Sequence, residues 1–374
     1  EVIYRRTGIQ FLPINTLYQL AAQQERQPDL LAAAYRLLLV PDLFHSWLCG
    51  EMVSEYTNAT TTQLWDATIH GWAVDMLATL QLPSALLPPV VDAGTRLGTL
   101  LPELARELGP VEVVAPATHD TGSAVAAVPV GTSDGWGYIS SGTWSLVGQE
   151  LGHPLLTDAA LASNFTNEGG IFGTIRFLKN VMGLWLVQSC LREWQQQQQQ
   201  YANTLDYVRL LQLAGQAPAF TAVIDPDDPR FLAPDNMLSA INAYLVEHRQ
   251  PLLHQPGMIV RCILESLVLR YQTVFEECAR LTSIGIHGIH VLGGGARNAL
   301  MNQWLADAMG VPVLAGPVEA TALGNALMQL VALGELSTLA DVRALARQQP
   351  TKEFFPRADE RARWQEHLAR FLAL

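Results

Sequence analysis

The spacing of apolar residues along the chain predicts helices that alternate with short strands. Apolar residues recur three or four positions apart in the predicted helices, whereas the predicted strands are short and rich in β-branched residues. The predicted helices cover residues 14–38, 43–48, 66–80, 120–128, 177–194, 258–281, 298–309 and 320–333. The predicted strands cover residues 111–115, 136–140, 144–147, 165–171, 288–292 and 311–314. Asp42 is expected to cap the helix that begins at Leu43. This alternation is typical of an α/β architecture.

The length and composition of the chain favour two domains. Its 374 residues, of which 49% are apolar and 16% charged, suffice for a large buried core and exceed the usual size of one domain. The polar and glycine residues from Gly131 to Gly135 predict the boundary. The two predicted domains therefore cover residues 1–134 and 135–374.

Charge and cysteine content argue against several classes of function. A formal net charge of −12 argues against a nucleic-acid surface, because binding to a phosphate backbone requires clusters of Lys and Arg. A small anionic substrate is compatible with this charge, since one local set of N–H donors can bind phosphate. The four cysteines form no CxxC pair, which predicts buried thiols rather than a zinc site or disulfides. No charged-then-apolar leader and no run of about 18 apolar residues occurs, so a soluble cytoplasmic protein without a membrane partner is expected.

The start of the predicted helix 120–128 carries the most informative candidate chemistry. Asp120 has two interpretations that are compatible with each other. It can cap the helix, or it can act as a general base that accepts a hydroxyl proton during phosphoryl transfer. The neighbouring His119 is interpreted either as a hydrogen-bonded loop residue or as a donor to the substrate.

Two glycine-containing turns are candidates for a phosphate and a nucleotide site. The segment Ser140–Ser145 is either a plain hairpin turn or a set of donors, from Gly142 and Thr143, to a γ-phosphate. The segment Gly293–Asn298 is either a plain strand-to-helix connection or a surface for the adenosine of a nucleotide. It matches neither the P-loop nor the dinucleotide fingerprint. The nine histidines show no HxxxH or HExxH spacing, so no protein metal site is predicted, and any Mg²⁺ would arrive with nucleotide phosphates.

These three segments, in this order and spacing, resemble the FGGY carbohydrate kinases. The resemblance extends over nearly the whole chain and rests on shared strings that are much more specific than a single glycine turn. The strings are Arg6–Pro13, Tyr56–Leu64, Thr118–Thr121, Ser140–Ser145, Thr166–Gly170, Leu178–Trp185, Gly293–Asn298 and Ala315–Ala320.

This resemblance implies a fold, a reaction and a set of site residues. The implied fold is an α/β, two-domain actin-like fold of the ribonuclease H type, with ATP and a ketose in the cleft between the domains. The implied reaction transfers the γ-phosphoryl group of ATP, accompanied by Mg²⁺, to the 1-hydroxyl of L-rhamnulose, and no protein partner is implied. The residues implied at the sugar are His119, Asp120, Thr121 and Asn180, with Asp120 as the catalytic base. Those implied at the nucleotide are Thr143, Gln188 and Gly294.

One departure from the family pattern concerns the beginning of the chain. Members of the family begin with a strand–turn–strand that carries an acidic phosphate loop, and no such segment precedes Glu1. The resemblance therefore implies an incomplete N-terminal domain that lacks about a hundred residues. Two alternatives stay open beside an L-rhamnulose kinase. One is a nucleotide-binding remnant without transferase activity, and the other is a kinase for a related ketose.

Overall fold

The computed structural model describes residues 1–130, 135–196 and 205–374. The chain divides into two compact units, each built from three segments. The first unit comprises Glu1–Ser133, Gln149–Lys179 and Glu319–Gln349, and the second comprises Asp134–Gly148, Asn180–Val318 and Pro350–Leu374. The predicted domains are continuous segments instead. Their predicted boundary at residues 131–135 lies almost entirely outside the described residues, so this division stays a prediction.

Short helices and short strands make up residues 1–130. The helices are α1 (Val2–Thr7), α2 (Thr16–Arg26), α3 (Pro28–Ala33), α4 (Val40–Cys49), α5 (Tyr56–Ala59), α6 (Val74–Thr79), α7 (Pro102–Leu108) and α8 (Asp120–Ala126). The strands are β1 (Ser54–Glu55), β2 (Trp65–Asp66), β3 (Gly71–Trp72), β4 (Val90–Val91), β5 (Thr95–Thr99) and β6 (Glu112–Ala115).

Longer strands and helices follow in the rest of the chain. Residues 135–196 form β7 (Trp136–Ser141), β8 (Trp144–Leu151), α9 (Asp158–Ala162), β9 (Thr166–Gly169), β10 (Ile175–Met182) and α10 (Trp185–Gln196). Residues 205–374 form α11 (Tyr207–Gln216), α12 (Met237–Glu247), α13 (Pro256–Thr282), β11 (Gly288–Leu292), α14 (Ala299–Met309), β12 (Val313–Ala315), α15 (Ala320–Leu333), α16 (Leu339–Ala346), β13 (Lys352–Phe354) and α17 (Arg361–Phe371).

The first unit has a core of leucines and one very close helix crossing. The leucine side chains that pack together are Leu17, Leu20, Leu31, Leu64, Leu77, Leu82, Leu86 and Leu87. Helix α8 packs against α15, and a Cβ atom on Gly324 would lie only 1.8 Å from the carbonyl oxygen of Ser123. The backbones of the two helices can approach this closely only because residue 324 has no side chain.

Strands β7, β11, β12 and β13 of a mixed sheet lie in the second unit. Strand β11 pairs in parallel with β7 on one side and with β12 on the other, and β13 runs antiparallel to β12. The long helix α13 contacts α11 and α14 and buries Ile263, Leu267 and Phe275. Because the carboxyl ends of parallel strands meet at one edge, the turns that follow β7 and β11 lie next to each other. A Cβ atom on Gly293, after β11, would be 3.0 Å from the carbonyl oxygen of Ser141, at the end of β7.

Three predicted helices are wrong in their extent. The segment 177–194 forms the end of β10 and then α10, because Phe177 and Leu178 pair with β9 although their apolar spacing also suits a helix. The segment 66–80 forms β2 and β3 before α6, and His70 between these strands has a positive φ of 48°. Residues 14–38 form α2 and α3 with a break at Gln27, because a proline disfavours helical geometry in the residue before it.

The predicted cap of α4 is also wrong. Leu39 is the N-cap, and a proline occupies the first turn, a position that proline favours. Asp42 therefore lies inside the helix, where it is fully buried and its Oδ1 accepts a hydrogen bond of 3.2 Å from the Glu55 backbone N–H. The predicted strand before Asp120, the hairpin around Gly142 and the helices that became α13, α14 and α15 are confirmed to within a few residues.

Two predictions from composition can be compared with the described residues. No helix within residues 1–130, 135–196 or 205–374 combines the length and apolar character needed to cross a membrane. All four cysteines are thiols, and the prediction that they are buried holds for Cys190, Cys262 and Cys278, whereas Cys49 is partly exposed.

Candidate active site

The start of helix α8 presents the candidate catalytic residues of the first unit. The chain leaves β6, and His119 takes an extended conformation with φ −73° and ψ 123°. Its ring Nδ1 accepts a hydrogen bond of 3.2 Å from the Thr121 backbone N–H, so His119 is the N-cap of α8. The interpretation of Asp120 as the cap is therefore wrong, because Asp120 is already the first residue of the helix.

The Asp120 carboxylate is held by one oxygen and exposed at the other. Oδ1 accepts hydrogen bonds from the backbone N–H of Thr121 at 2.6 Å and from its hydroxyl at 3.2 Å. None of the described residues donates to Oδ2, and the side chain is 79% exposed. An anchored carboxylate with one oxygen available to a ligand is suited to accept a proton from a bound hydroxyl group.

His119 lies between a cation and an anion. Its Nδ1 is 3.4 Å from Nη1 of Arg176, and its Nε2 is 4.0 Å from Oε2 of Glu168. Burial and, secondly, the positive charge of Arg176 lower the pKa of His119. Because Nδ1 accepts the N–H of Thr121, we assign the proton of the neutral ring to Nε2.

Sequence reasoning missed the buried ion pair of Arg176 and Glu168. The two residues are directly opposite each other in the antiparallel pair β9–β10, and Nη1 of Arg176 lies 3.0 Å from Oε2 of Glu168. Arg176 is fully buried and also donates to the carbonyl oxygens of Gly169 at 2.9 Å and Thr57 at 3.2 Å. Opposite charges in register across two strands are the signal that could have identified this pair.

A second buried acid, Glu55, was also missed. Its carboxylate is completely buried and accepts four hydrogen bonds, two from Thr57 and two from Thr118. Burial raises the pKa of Glu55, and the donors from Thr57 and Thr118 oppose this effect. No local motif distinguishes Glu55, because one of its partners is 63 positions further along the chain.

In the second unit, the turn between β7 and β8 is fixed to the start of α10. The backbone N–H groups of Leu184 and Trp185 donate to the carbonyl oxygens of Gly142 at 3.2 Å and Thr143 at 3.1 Å. A Cβ atom on Gly183 would lie 2.7 Å from the carbonyl oxygen of Thr143, so this approach requires glycine. The hydroxyl-bearing residue Thr143 therefore sits, exposed, on a rigid turn.

The glycine turn after β11 adjoins the same edge of the sheet. Gly293 has a positive φ of 76°, and a Cβ atom on Gly295 would be 2.1 Å from Oγ of Ser141. At Gly294 the nearest atom to a Cβ would be 3.9 Å away, and this residue is exposed. Backbone N–H groups at such an edge are typical donors to a nucleotide.

The predicted site residues thus fall into two groups. His119, Asp120 and Thr121 are consecutive in the first unit and share hydrogen bonds. Thr143 and Gly294 lie on neighbouring turns of the second unit, and Gln188 is exposed in the first turn of α10, which is fixed to the turn of Thr143. Asn180 lies in β10 and belongs to the second unit. The roles of all these residues in binding stay predictions.

The donor set of the described residues does not form a protein metal cage. Nowhere in the described parts of the chain do three or more His, Cys, Asp or Glu side chains group closely enough to hold a metal ion. A divalent cation that accompanies ATP is held largely by phosphate oxygens and water.

Comparison with known proteins identifies the class to which this fold belongs. The model of the FGGY family of carbohydrate kinases, N-terminal domain, matches residues 1–127, and that of the C-terminal domain matches residues 137–333. The chain belongs to the FGGY family of carbohydrate kinases and is a sugar phosphotransferase, for which ATP is the phosphoryl donor.

Among its relatives are proteins named rhamnulokinase. The one from Pectobacterium carotovorum is 44% identical over 375 residues, which cover 100% of this chain and 73% of the relative. The one from Bacteroides thetaiotaomicron is 42% identical over 357 residues, which cover 95% of this chain and 72% of the relative. The resemblance expected from the sequence is thereby confirmed.

Solved structures confirm the predicted fold. Gluconate kinase from Lactobacillus acidophilus superimposes with a TM-score of 0.80 at 17% identity, covering 100% of this chain and 74% of that one. Glycerol kinase from Plasmodium falciparum with ADP superimposes with a TM-score of 0.75 at 14% identity, covering 99% of this chain and 74% of that one. The fold is the α/β, actin-like two-domain fold of these kinases.

Proposed function

We propose that the protein transfers the γ-phosphoryl group of ATP to the 1-hydroxyl of L-rhamnulose, with Asp120 as the general base. The observation that carries this proposal is the Asp120 carboxylate, anchored through Oδ1 and available at Oδ2. The choice of sugar is supported by the relatives named rhamnulokinase, which are 40–44% identical to this chain. As a kinase of L-rhamnose catabolism, the protein would act in the cytoplasm with the ketose and ATP as its small-molecule partners.

The proposed reaction is a single displacement at phosphorus. A bond forms between the sugar oxygen and the γ-phosphorus, while the bond from the γ-phosphorus to its bridging oxygen breaks and ADP departs with the electron pair. Asp120 takes the proton that the sugar hydroxyl loses. In phosphoryl transfer most of the rate enhancement comes from positioning and charge stabilisation, so a base on a rigid helix start suits the reaction.

The remaining predicted residues would bind the two substrates. His119, with its proton on Nε2, Thr121 and Asn180 would bind the sugar. The backbone N–H of Thr121 also donates to Oδ1 of Asp120. On the nucleotide side, Thr143 would donate to the γ-phosphate, and Gln188 and Gly294 would contact the rest of ATP. Mg²⁺ is proposed to arrive with the ATP phosphates, and no step is assigned to it.

A panel of sugars tests this function. ADP release is measured with L-rhamnulose, xylulose, gluconate and glycerol at equal concentrations, and the product of the best substrate is analysed for the phosphorylated position. We expect the highest kcat/KM with L-rhamnulose and phosphate at position 1. Faster turnover of another sugar would instead identify a kinase for that sugar. ATP binding without turnover of any sugar would favour a nucleotide-binding protein without transferase activity.

A further inference from the structure

A buried carboxylate connects two distant chain segments directly before the proposed base. Oε1 of Glu55 accepts the backbone N–H of Thr57 at 2.9 Å, and Oε2 accepts the Thr57 hydroxyl at 2.5 Å. Oε2 also accepts both the backbone N–H of Thr118, at 2.8 Å, and its hydroxyl, at 3.0 Å. A single side chain therefore fixes the backbone and the side chain of the residue two positions before Asp120.

The same network extends to the residue that caps the helix. The His119 backbone N–H donates to the Thr57 hydroxyl oxygen at 3.3 Å, and that hydroxyl in turn donates to Glu55. A Cβ atom on Gly122 would lie 3.1 Å from the same hydroxyl oxygen, so the first turn of α8 packs on Thr57 as well. The backbone from residue 118 to the first turn of α8 is thus tied to one carboxylate.

The position of Glu55 excludes direct contact with a substrate. The residue has no exposed surface, and its two carboxylate oxygens are occupied by four donors. Burying a carboxylate is costly unless hydrogen bonds compensate it, whereas an apolar side chain would be easier to accommodate between these segments. The carboxylate accepts directional hydrogen bonds from the N–H groups of residues 57 and 118. An apolar side chain cannot accept them.

We infer that Glu55 is a positioning residue for phosphoryl transfer, acting through Thr57 and Thr118 to hold the His119–Asp120 segment in its reactive geometry. This inference rests on the proposed role of Asp120 as the base. Catalysis is sensitive to such positioning, since a misplacement of about 1 Å at a reacting group can lower the rate by about 10²-fold. Glu55 therefore affects kcat more than the binding of ATP.

Pairs of variants separate positioning from simple stabilisation. Thr118→Val keeps the shape of the side chain but removes the hydroxyl that donates to Glu55, whereas Thr118→Ser keeps that hydroxyl. Thr57→Val and Thr57→Ser form a second pair on the other side of the carboxylate, in case a Thr118 variant does not fold. Thr62→Val is the matched control, because among the described residues the hydroxyl of this buried threonine bonds within its own turn, to the Ala59 carbonyl oxygen and the Leu64 N–H.

The expected result is a loss of kcat that the serine variants restore. Each valine variant at 57 or 118 should lower kcat by about 10- to 100-fold with little change in the ATP Kd, and each serine variant should come within about threefold of the wild type. Thr62→Val should keep kcat even if it lowers the melting temperature. Equal losses in the valine and serine variants, or kcat unchanged in the valine variants, would overturn the inference.

A double-variant cycle distinguishes failure of this inference from failure of the proposed function. If Glu55 acts through Asp120, adding Thr118→Val to Asp120→Asn should lower kcat no further, because the two changes affect one step. Independent, multiplicative losses would contradict the positioning role while leaving Asp120 as the base. An Asp120→Asn variant with nearly full activity would instead contradict the proposed function itself.

Discussion

The close crossing of α8 and α15 predicts that adding one methyl group at Gly324 reduces both stability and activity. In Gly324→Ala the new Cβ atom would begin 1.8 Å from the carbonyl oxygen of Ser123, and real Cβ atoms essentially never come closer than 3.0 Å to such an atom. The two helices must therefore separate locally by about 1.2 Å, which is the difference between these distances. The hydrogen bond of 3.1 Å from the Thr321 hydroxyl to the Asp120 carbonyl oxygen would be disturbed as well.

The size of both effects can be worked out from this shift. Overpacking costs about 1–3 kcal/mol of the free energy of unfolding, and the better helix propensity of alanine returns about 1 kcal/mol. We therefore expect a net loss of up to about 2 kcal/mol. Because Asp120 is the first residue of α8, a movement of about 1 Å is also expected to lower kcat by up to about 10²-fold.

Urea unfolding and the ADP-release assay measure the two effects. Gly215→Ala is the matched control, since Gly215 also lies in a helix but its Cβ atom would have no neighbour closer than 3.9 Å. That control should be stabilised by about 0.5–1 kcal/mol and keep its kcat. If Gly324→Ala were as stable and as active as Gly215→Ala, the reasoning from the helix crossing would be refuted.

Three further predictions concern the nucleotide turn and two titrating groups. Thr143→Val should lower kcat by about 10²-fold through loss of a donor to the transferred phosphoryl group, and a change below about twofold would exclude that role. Burial and the charge of Arg176 lower the pKa of His119, whose neutral Nδ1 is needed to cap α8. The acidic limb of the plot of kcat/KM against pH should therefore lie below pH 6.5. An apparent pKa above 6.5 for that limb would contradict the assignment. Burial raises the pKa of Asp42 to about 6, so its contribution to stability is present at low pH and is lost as pH rises towards and through 6. The free energy of unfolding of Asp42→Asn should therefore rise relative to that of the wild type between pH 4 and about pH 7. A difference between the two proteins that does not change with pH would contradict this.

The sequence was sufficient for the elements that carry strong local signals. The helix that became α13 has sustained apolar periodicity, and the strand, glycine turn and helix from Gly288 onwards are marked by β-branched residues, glycines and the capping residue Asn298. The long strings shared with the family supplied the fold, which spacing alone leaves open. Prediction failed at residues 177–194, where the pairing of β10 with β9, a tertiary contact, overrides a helical pattern.

The candidate site was only partly predictable for a similar reason. Asp120 and His119 follow a strand and begin a helix, so local pattern indicates them. Glu55 bonds to Thr118, 63 positions further along the chain, and Arg176 bonds to Thr57, 119 positions away, so no local pattern marks these contacts. Charged residues also usually face solvent. The burial of Glu55, Glu168 and Arg176 depends on the packing of β1, β9 and β10 and cannot be inferred from local spacing.

The kcat of Asp120→Asn with L-rhamnulose and ATP tests the central claim most directly. The amide keeps the shape of the side chain and its contact with Thr121 but cannot accept the sugar proton as the carboxylate does. Asp158→Asn is the control, since Asp158 is likewise an exposed acid at the first position of a short helix of the same unit. We expect Asp120→Asn to lose about 10²–10⁴-fold in kcat with an unchanged ATP Kd, and Asp158→Asn to keep its activity. An Asp120→Asn protein that retained more than about a tenth of the wild-type kcat would contradict the role of Asp120 as the base.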